Sequence, residues 1–245
     1  MGGRIYTTRR PILVHGIGFA NLNGSSQFFY RTDADFPEAD ITGDLSLSGW
    51  IRPSGVSGYQ VIVSRYHSPP NRAVIFTLNN DEIAVFLGTN GTSTVSKTTA
   101  AMNVIANVWT HIAITYDASA GTVEVYKNGA WVEQLSGYPN AIFSCAPPFS
   151  VGRMAATTWL FNGSIANIAY FDDIRTAPEI AASAADFGID LSGEGNLIGQ
   201  WIFDELPSAT AIDNKQTDAG RDLIPYDGGN VAFKNLRQWG GKPIL

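Results

Sequence analysis

Short stretches of alternating apolar and polar residues follow one another along most of this chain. A period of two gives a β-strand one buried face and one wet face, so each stretch predicts a half-buried strand. The predicted strands are residues 18–22, 27–31, 45–52, 60–65, 73–78, 82–87, 94–98, 110–116, 122–127, 130–135, 149–152 and 164–171. Many short strands separated by turn residues are typical of an all-β fold, and we predict two antiparallel sheets packed as a jelly-roll sandwich.

Two turns indicate which neighbouring strands pair. Asn128-Gly129 separates two of the predicted strands, and this dipeptide supplies the positive φ angles of a two-residue type I′ hairpin. Asn79-Asn80-Asp81 is the second clear hairpin turn, because Asn and Asp tolerate a left-handed backbone and form local hydrogen bonds. We therefore expect the strands on either side of each turn to pair with one another.

One segment has the features of a helix. Residues 177–187 follow Thr176, which stands with Glu179 at the spacing of a capping box, and a proline lies in the first turn. Gly188 is the stop signal. We predict one short helix here, packed at an end of the sandwich. Beyond it, the pattern predicts a strand over 197–204 and a last short run at 231–233.

The chain of 245 residues is predicted to form one domain. All-β sandwiches commonly reach about 200–250 residues as a single unit. A content of 44% hydrophobic residues suits one large core. We divide the chain into an extended basic N-terminal arm (1–16), the jelly roll itself (17–187) and a C-terminal segment (188–245) that completes or extends the same sandwich.

The net charge of −6 is unevenly distributed. Residues 1–32 contain Arg4, Arg9, Arg10 and Arg31 and no acid, whereas the rest of the chain has 12 basic and 22 acidic residues. We expect the arm, through Arg4, Arg9 and Arg10, to dock on an acidic surface. Nucleic acid is not expected as a partner, because an acidic body repels phosphates and no basic cluster interleaved with aromatic residues occurs.

The single cysteine, Cys145, cannot form a disulfide within the chain, so the sheet core has to supply the stability. The N-terminal residues lack the apolar core of a signal peptide, and no run of about 18 apolar residues occurs. We expect a protein that is made in the cytoplasm and is not inserted into a membrane.

Three blocks together resemble the LamG-like jelly-roll family of concanavalin A-like sandwiches, which includes laminin G modules and pentraxins. They are LSLSGWIRP (45–53), the WTHIAITYD and VYKNG segments of the first hairpin, and FNGSIANIAYFDDIRTAPEI (161–180). The resemblance implies that they form a core strand with a tryptophan, a central hairpin and a strand leading into a short helix. It covers residues 17–187.

A further block resembles the family in an unusual place. WIFDE (201–205) followed by TAIDN (210–214) looks like the segment that commonly opens such domains, yet here it comes after the jelly roll. We expect it to supply a missing strand from the other end of the chain, as in a circular permutation. The alternative is that it pairs with a neighbouring copy, which would make the protein an obligate oligomer.

The sequence does not predict an enzyme. Glycoside hydrolases need two carboxylates about 5–9 Å apart. Glu124 is alone on its strand, and Asp204 and Glu205 are adjacent, so their side chains point to opposite faces. Asp172-Asp173 lies in a turn before the helix. The three histidines lie in no recognisable catalytic motif: His15, His67 and His111.

Calcium would be the cofactor that the resemblance suggests, since pentraxin relatives hold ligands through it. In such relatives acids follow the strand that here reads FSVG, whereas this chain has Arg153 there. Other relatives carry a carboxylate pair where this chain has Ala166 and Asn167. We therefore predict no cofactor. A weaker alternative is an ion site in the acidic loop 33–40, with these ligands: Asp33, Asp35 and Asp40.

Carbohydrate recognition is the chemistry that the sequence favours most, because aromatic faces stack on sugar rings. Five aromatic or imidazole side chains are predicted in or near turns and are candidates for such a site: Tyr59, Tyr66, His67, Trp131 and Trp159. The alternative for each is partly buried packing beneath a loop. Trp50, Trp109 and Trp201 are predicted to lie in the core.

Three functions remain open at this point. The first is a non-catalytic structural and binding module of a tailed-bacteriophage virion, on the capsid, tail or fibre. Its partners would be further copies of itself, other virion proteins and host-surface glycans. The second is a stand-alone lectin or adhesin. The third is a glycoside hydrolase or lyase whose carboxylates are scattered over several strands.

Overall fold

The computed structural model describes residues 17–100, 102–154 and 159–204, together with shorter C-terminal stretches: 211–212, 214–215, 222–226, 232–236, 238–239 and 242–243. The basic arm with Arg4, Arg9 and Arg10 lies outside the described residues. Strands and the turns and loops between them make up most of the described chain, and its α-helix is α1 (Ala177–Ala185). Two short 3₁₀ turns occupy Asp33–Asp35 and Pro37–Ala39.

The strands follow one another in short, regular intervals, as the alternating pattern predicts. In chain order they are β1 (Ile17–Asn23), β2 (Phe28–Arg31), β3 (Leu45–Pro53), β4 (Tyr59–Tyr66), β5 (Arg72–Asn79), β6 (Glu82–Gly88), β7 (Thr94–Thr98), β8 (Thr110–Asp117), β9 (Thr122–Lys127), β10 (Ala130–Ser136), β11 (Phe149–Val151), β12 (Asn162–Phe171), β13 (Leu197–Trp201), β14 (Ile224–Tyr226), β15 (Ala232–Leu236), β16 (Gln238–Trp239) and β17 (Lys242–Pro243).

These strands form two large antiparallel sheets. The eight-stranded sheet has the order β10-β9-β8-β3-β12-β1-β15, with β13 also paired to β12. The seven-stranded sheet has the order β14-β2-β11-β4-β5-β6-β7. Strands β16 and β17 form a separate pair. The predicted all-β, two-sheet jelly-roll sandwich with one short helix is confirmed.

The core lies between the two sheets and consists of the inward side chains of both. Among its largest fully buried members are Trp201, Tyr116, Tyr170, Phe29 and Phe149. Burial of each large apolar side chain contributes roughly 1.5–3 kcal/mol, so this layer dominates the stability. The predicted core position of Trp201 is confirmed.

Trp50 and Trp109 lie elsewhere. In β3 the side chains of Leu47 and Ile51 enter the core, so that of Trp50, one residue away from Ile51, points to the outer face of the eight-stranded sheet. There Trp50 and Trp109 pack against Phe187, which follows the helix. The prediction that both belong to the central core is therefore wrong, and they form a second, outer layer.

The structure contains the turn and the helix start that the local sequence predicts. Asn128 and Gly129 have φ angles of 50° and 81°, the positive values that the predicted hairpin requires. The capping box of Thr176 and Glu179 is present at the start of α1. The helix ends at Ala185, two residues earlier than predicted, because the backbone of Asp186 is already extended.

Strands β13 and β1 lie end to end along the same edge of β12. Residues 168–171 of β12 pair with β13, and residues 162–165 pair with β1, in both cases antiparallel. The two strands therefore run in the same direction, one after the other. Where they meet, Gly18 approaches the backbone of Phe203 so closely that a Cβ atom would lie 1.7 Å from its carbonyl oxygen.

The segment after residue 188 contributes to both sheets. β13 pairs with β12 and β15 with β1 in the eight-stranded sheet, and β14 pairs with β2 in the seven-stranded sheet. The strand predicted over 197–204 is three residues too long, since Phe203 has a φ of 62° and breaks the extended backbone. This segment brings Tyr226 onto the outer face described next.

Candidate ligand-binding surface on the seven-stranded sheet

The outer face of the seven-stranded sheet carries aromatic and small polar side chains. The register aligns Tyr30, Ser150, Ser64, Ile75 and Phe86 across five neighbouring strands. Directly paired residues share a face, and strands lie about 4.8 Å apart, so this row spans about 19 Å. We call this side of the sheet the outer face. It is the side away from the core.

Arg153 and Trp159 are both anchored to β4 through their backbone carbonyl groups. The Ser64 hydroxyl donates to the carbonyl oxygen of Arg153 at 2.7 Å, and the Val61 amide donates to that of Trp159 at 3.3 Å. Strand β4 thus positions a cation at one part of the face and an indole ring at another.

The indole of Trp159 is part of an aromatic stack with Tyr59 and Phe86. The rings of Tyr59 and Trp159 are nearly parallel, with centroids 4.2 Å apart and an interplanar angle of 22°. Phe86 lies 5.9 Å from each of them. All three side chains are half-buried, so the stack keeps some ring surface open to solvent.

A cavity of about 300 Å³ adjoins the Tyr59 ring. It is lined by Gly55, Ser57, Tyr59, Gln60, Leu160 and Asn162. The amide of Gln60 is held at both ends, since its Nε2 donates to the carbonyl of Gly55 at 2.7 Å and its Oε1 accepts from the amide of Asn162 at 3.1 Å. We call this space the amide cavity. It combines a ring face with positioned polar groups, as sugar sites do.

A second cavity, of about 210 Å³, lies where β14, β2 and β11 meet. We call it the arginine cavity, and its lining consists of Phe28, Tyr30, Pro148, Ser150, Arg153 and Tyr226. Phe28 and Tyr226 stack at 4.4 Å, and the guanidinium carbon of Arg153 lies 4.1 Å from the centre of the Phe28 ring. Burial lowers the pKa of Arg153, but a guanidinium stays charged.

The structure brings two of the five predicted site residues together. Tyr59 and Trp159 share the aromatic stack. His67 is exposed in the turn that follows β4, at the opposite end of that strand from Tyr59. Trp131, 57% exposed, lies in β10 at the edge of the other sheet. Neither His67 nor Trp131 belongs to the stack.

The predicted accessibility of Tyr66 is wrong. This residue is only 8% exposed and packs against Val61, Ile75 and Met154 on the outer face. It ends β4, and an irregularity in the register between Arg65 and Tyr66 sets its orientation. Tyr66 therefore belongs to the apolar cluster against which Phe86 and Trp159 pack.

Sequence reasoning missed the arginine cavity. One signal was present: Phe28 and Tyr30 are two residues apart in a predicted strand, which places both rings on one face. Tyr226 gives no such signal, because the pairing of β14 with β2 joins residues almost 200 positions apart in the sequence. Arg153 was noted only as a basic residue where relatives have acids.

The acids of the loop 33–40 surround an arginine. Asp33 and Asp40 lie 2.7 Å and 2.8 Å from the guanidinium nitrogens of Arg65, whose side chain is almost fully buried. Asp35 accepts a hydrogen bond from Thr32. No group of three or more His, Cys, Asp or Glu side chains in the described residues is placed to hold a metal ion. The suggested ion site of Asp33, Asp35 and Asp40 is therefore wrong.

The other acids considered for catalysis also hold neighbouring side chains. Glu124 accepts hydrogen bonds from the indole of Trp131 and from Gln134. Asp173 pairs with Arg175 at 3.4 Å, and Asp204 with Lys215 at 3.2 Å. Each of these four contacts joins an acid to a neighbouring side chain. The described residues that line the two cavities include no carboxylate.

Asn167 occupies one of the two positions where relatives carry carboxylates, and here it anchors the C-terminal segment. Its amide donates to the carbonyl oxygens of Phe187 and Ile189, and its Oδ1 accepts from Gln200. The neighbouring Ala166 is fully buried. Within the described part of the chain, no helix has the length and apolar character needed to cross a bilayer.

The chain resembles several solved structures in fold. A protein from Bacteroides ovatus, named for an inferred carbohydrate-binding role, matches with a TM-score of 0.65 at 17% identity. The match covers 94% of this chain and 62% of that one, so this chain spans less than two thirds of the Bacteroides protein. No curated protein matches this chain.

Two further structures cover 69% of this chain each. The CBM40 domain of an IT-sialidase from Ruminococcus gnavus, bound to α2,3-sialyllactose, matches over 99% of its length with a TM-score of 0.55 at 14% identity. A heptameric SAP-like pentraxin from Limulus polyphemus matches over 82% of its length with a TM-score of 0.54 at 13% identity. At these identities the likeness concerns the fold.

A family model matches residues 24–181, which is well over half of the chain, and it describes the concanavalin A-like lectin/glucanases superfamily. The match includes all three sequence blocks that resemble LamG-like domains, so that resemblance is confirmed. The protein belongs to the concanavalin A-like lectin/glucanases superfamily.

Proposed function

We propose that this protein is a non-catalytic carbohydrate-binding module and that its glycan binds at the aromatic stack and the amide cavity. The observation that carries the proposal is the stack of Tyr59 on Trp159 beside the fixed amide of Gln60. Ring faces contact the apolar side of a sugar, and amides and hydroxyls bond its hydroxyl groups. The site supplies both.

The comparisons support this proposal through the fold. One structural neighbour is named for carbohydrate binding and another is bound to a sialylated sugar. Folds host many functions, so this support is by analogy, and the side chains of the outer face carry the argument.

The absence of carboxylates supports a binding role over hydrolysis. Cleavage of a glycosidic bond uses an acid and a second carboxylate on either side of that bond. The described residues that line the two cavities include neither Asp nor Glu. Among the described residues, a glycan held there would meet rings, amides, hydroxyls and one guanidinium.

The biological setting of the module stays a prediction. The sequence suggests a component of a tailed-bacteriophage virion, on capsid, tail or fibre, whose basic arm with Arg4, Arg9 and Arg10 docks on another virion protein or on a second copy. A stand-alone lectin or adhesin is the alternative. Host-surface glycans would be the ligand in either setting.

A glycan array tests the proposal. The wild type should bind at least one class of glycan, and Tyr59→Ala and Trp159→Ala should each weaken that binding roughly tenfold or more, which corresponds to about 1.4 kcal/mol. Trp131→Ala is the matched control, because it removes an exposed ring from the other sheet. Circular dichroism would verify the fold of each variant.

Two results would contradict the proposal. One is a folded wild type that binds no glycan above background. The other is binding that survives both Tyr59→Ala and Trp159→Ala. Hydrolysis of a bound glycan that is lost when one acid is mutated would instead identify an enzyme.

A further inference from the structure

We propose that the site at the aromatic stack and the amide cavity selects uncharged glycans, and that Glu82 is the residue that disfavours glycans carrying a carboxylate or a sulfate. This inference rests on the proposed function, because it names the class of ligand for the same site. It adds Glu82 and Asn162 to the residues that determine what binds there.

The described lining of the amide cavity is uncharged. Besides one aromatic ring it supplies the amides of Gln60 and Asn162 and the hydroxyl of Ser57, together with Gly55 and Leu160. Amides and hydroxyls donate and accept hydrogen bonds without carrying charge, which matches the hydroxyl and acetamido groups of neutral sugars. An anionic group in this cavity would lose water without gaining a cation from these lining residues, and an unpaired charge is costly to bury.

Asn162 presents a fixed amide to this cavity. Its backbone amide donates to Oε1 of Gln60 at 3.1 Å, and its carbonyl oxygen accepts from the amide of Ser54 at 2.8 Å. Its side chain rests against Gly24, where a Cβ atom would lie 2.6 Å from the Cβ of Asn162. Since the side chain is exposed, a ligand in the cavity reaches a preorganised donor and acceptor.

Glu82 lies on the same face as the aromatic stack. It pairs with Asn79 of β5, which in turn pairs with Tyr59, and directly paired residues share a face. Phe86 of the stack is four residues further along β6, so the alternation of side chains places it on that face as well. Two strand spacings separate Glu82 from Tyr59, which is a backbone distance of about 10 Å.

Among the described residues, no cation forms an ion pair with Glu82. The ion pairs between these residues involve other acids: Asp33, Asp35, Asp40, Asp173, Glu179, Glu194 and Asp204. A partly exposed carboxylate about 10 Å from the site repels an anionic ligand, which is a repulsive element of specificity. The net charge of −6 acts in the same direction at longer range.

Arg52 lies at the same end of the sandwich as the amide cavity but serves the other sheet. It precedes Pro53, whose pairing partner is Gly163, the neighbour of Asn162. Because Arg52 is two residues from Trp50 in β3, its side chain points to the outer face of the eight-stranded sheet. There its Nε donates to the carbonyl oxygen of Asn107 at 2.9 Å.

Arg153 is the cation of the outer face, and it lies on the opposite side of β4 from Glu82. Its guanidinium stands over the ring of Phe28 in β2, and the sheet order places β2 two strands from β4 on one side and β6 two strands from β4 on the other. Its backbone is held at Ser64, five residues along β4 from Tyr59. Glu82, by contrast, is in register with Tyr59 through Asn79.

Titration calorimetry with matched pairs of glycans tests the inference. The pairs are an oligogalacturonate methyl ester with its free acid, lactose with 3′-sulfolactose, and the strongest glycan of the array with its C6-oxidised uronate or, if it is acidic, with its methyl ester. In every pair that binds, the uncharged member should bind roughly threefold or more tightly at 0.15 M salt. The ratio should rise at 0.01 M salt, where screening is weaker. Loss of this binding in Tyr59→Ala would locate it at the aromatic stack.

Two variants should move this ratio in opposite directions. Glu82→Gln keeps the size of the side chain and removes its charge, so the ratio should fall roughly twofold or more. Asn162→Asp adds a carboxylate to the cavity and should raise the ratio by a similar factor. Asp172→Asn is the matched control, because it removes one negative charge next to the other end of β12 and should leave the ratio unchanged. Circular dichroism would verify the fold of each variant.

Equal affinity for the two members of a pair, or a preference for the anionic one, would overturn the inference and leave the proposed function standing, provided that the binding depends on Tyr59. A preference for the uncharged member that survives in Glu82→Gln, or that Asp172→Asn lowers equally, would also overturn it, since Glu82 would then have no local role. Absence of all glycan binding would contradict the proposed function and this inference with it.

Discussion

The rings of Tyr59 and Trp159 stack at 4.2 Å although the two residues are 100 positions apart in the sequence. Tyr59 begins β4, and the backbone carbonyl of Trp159 accepts a hydrogen bond from Val61 of the same strand. The stack thus holds Trp159 on the sheet, and Tyr59 also lines the amide cavity. The pair therefore connects the stability of the fold with the proposed binding site.

This link predicts a measurable coupling in stability. Aromatic pairs contribute about 0.5–1.5 kcal/mol beyond the area that they bury. A double-mutant cycle with Tyr59→Ala and Trp159→Ala, followed by urea unfolding, should give a coupling free energy in this range. Replacing Trp159 together with the distant Trp131 should give a coupling near zero.

The burial of His111 predicts that the stability of the protein depends on pH. It is 1% exposed, and its Nδ1 has no hydrogen-bond partner among the described residues. Burial lowers its pKa from 6.5 to about 4. Between these pH values the unfolded chain binds a proton that the folded protein does not, so the free energy of unfolding should fall as pH drops from about 6.5 to about 4.

The expected loss amounts to about 3 kcal/mol, at about 1.4 kcal/mol per pH unit. Urea unfolding at pH 7 and at pH 4.5 measures it. Carboxylates also titrate in this window, so the comparison is with His111→Phe, which keeps a ring beside Trp50. A variant that loses as much stability on acidification as the wild type would show that His111 is not responsible.

A substitution of Gly18 tests whether β1 and β13 meet end to end. A Cβ atom at this position would lie 1.7 Å from the carbonyl oxygen of Phe203, so one strand has to move in Gly18→Ala. We expect a cost of about 1–3 kcal/mol, as for other overpacked sites. Gly43→Ala is the control, because no atom lies within 4 Å of its Cβ position. Equal melting temperatures for the two variants would show that the strands do not meet there.

A substitution of Arg65 tests whether the acidic loop 33–40 is held in place by its ion pairs with this residue. Its guanidinium also donates to the carbonyl of Cys145, and Arg65→Met would leave Asp33 and Asp40 facing each other without a cation. Breaking a fully buried ion pair costs about 3–5 kcal/mol, and because both carboxylates are partly exposed we expect about 2–3 kcal/mol. Arg52→Met, which loses one hydrogen bond to Asn107, should cost about 1 kcal/mol.

Added calcium separates the two interpretations of that loop. If Asp33 and Asp40 serve Arg65, the melting temperature of the wild type should not change with calcium. A rise with calcium concentration, lost in Asp40→Asn, would revive the ion site.

The fold could be predicted from sequence wherever the signal is local. The strands around Asn128-Gly129 follow from period-two alternation and one turn dipeptide, and the start of α1 follows from Thr176 and Glu179. The predicted C-terminal ends of α1 and β13 are less accurate, because Asp186 and Phe203 adopt backbone conformations that no local sequence pattern predicts.

The candidate site was predictable only in part, because it is assembled by pairing between distant segments. The sequence places Tyr59 and Trp159 near turns as aromatic residues, but their contact depends on the backbone hydrogen bond that holds Trp159 on β4. Tyr226 reaches Phe28 through a strand near the other end of the chain. For Tyr66 the sequence leaves a ligand-binding role and partly buried packing open, because its burial against Met154 is a tertiary contact.

The central claim is that glycans bind on the outer face of the seven-stranded sheet. Amide and indole chemical-shift mapping by NMR, with the strongest glycan from the array, tests it most directly. We predict perturbations at Tyr59, Trp159 and the strands that support them. Perturbations confined to β10 and α1 on the other sheet, with the outer face unchanged, would contradict the claim.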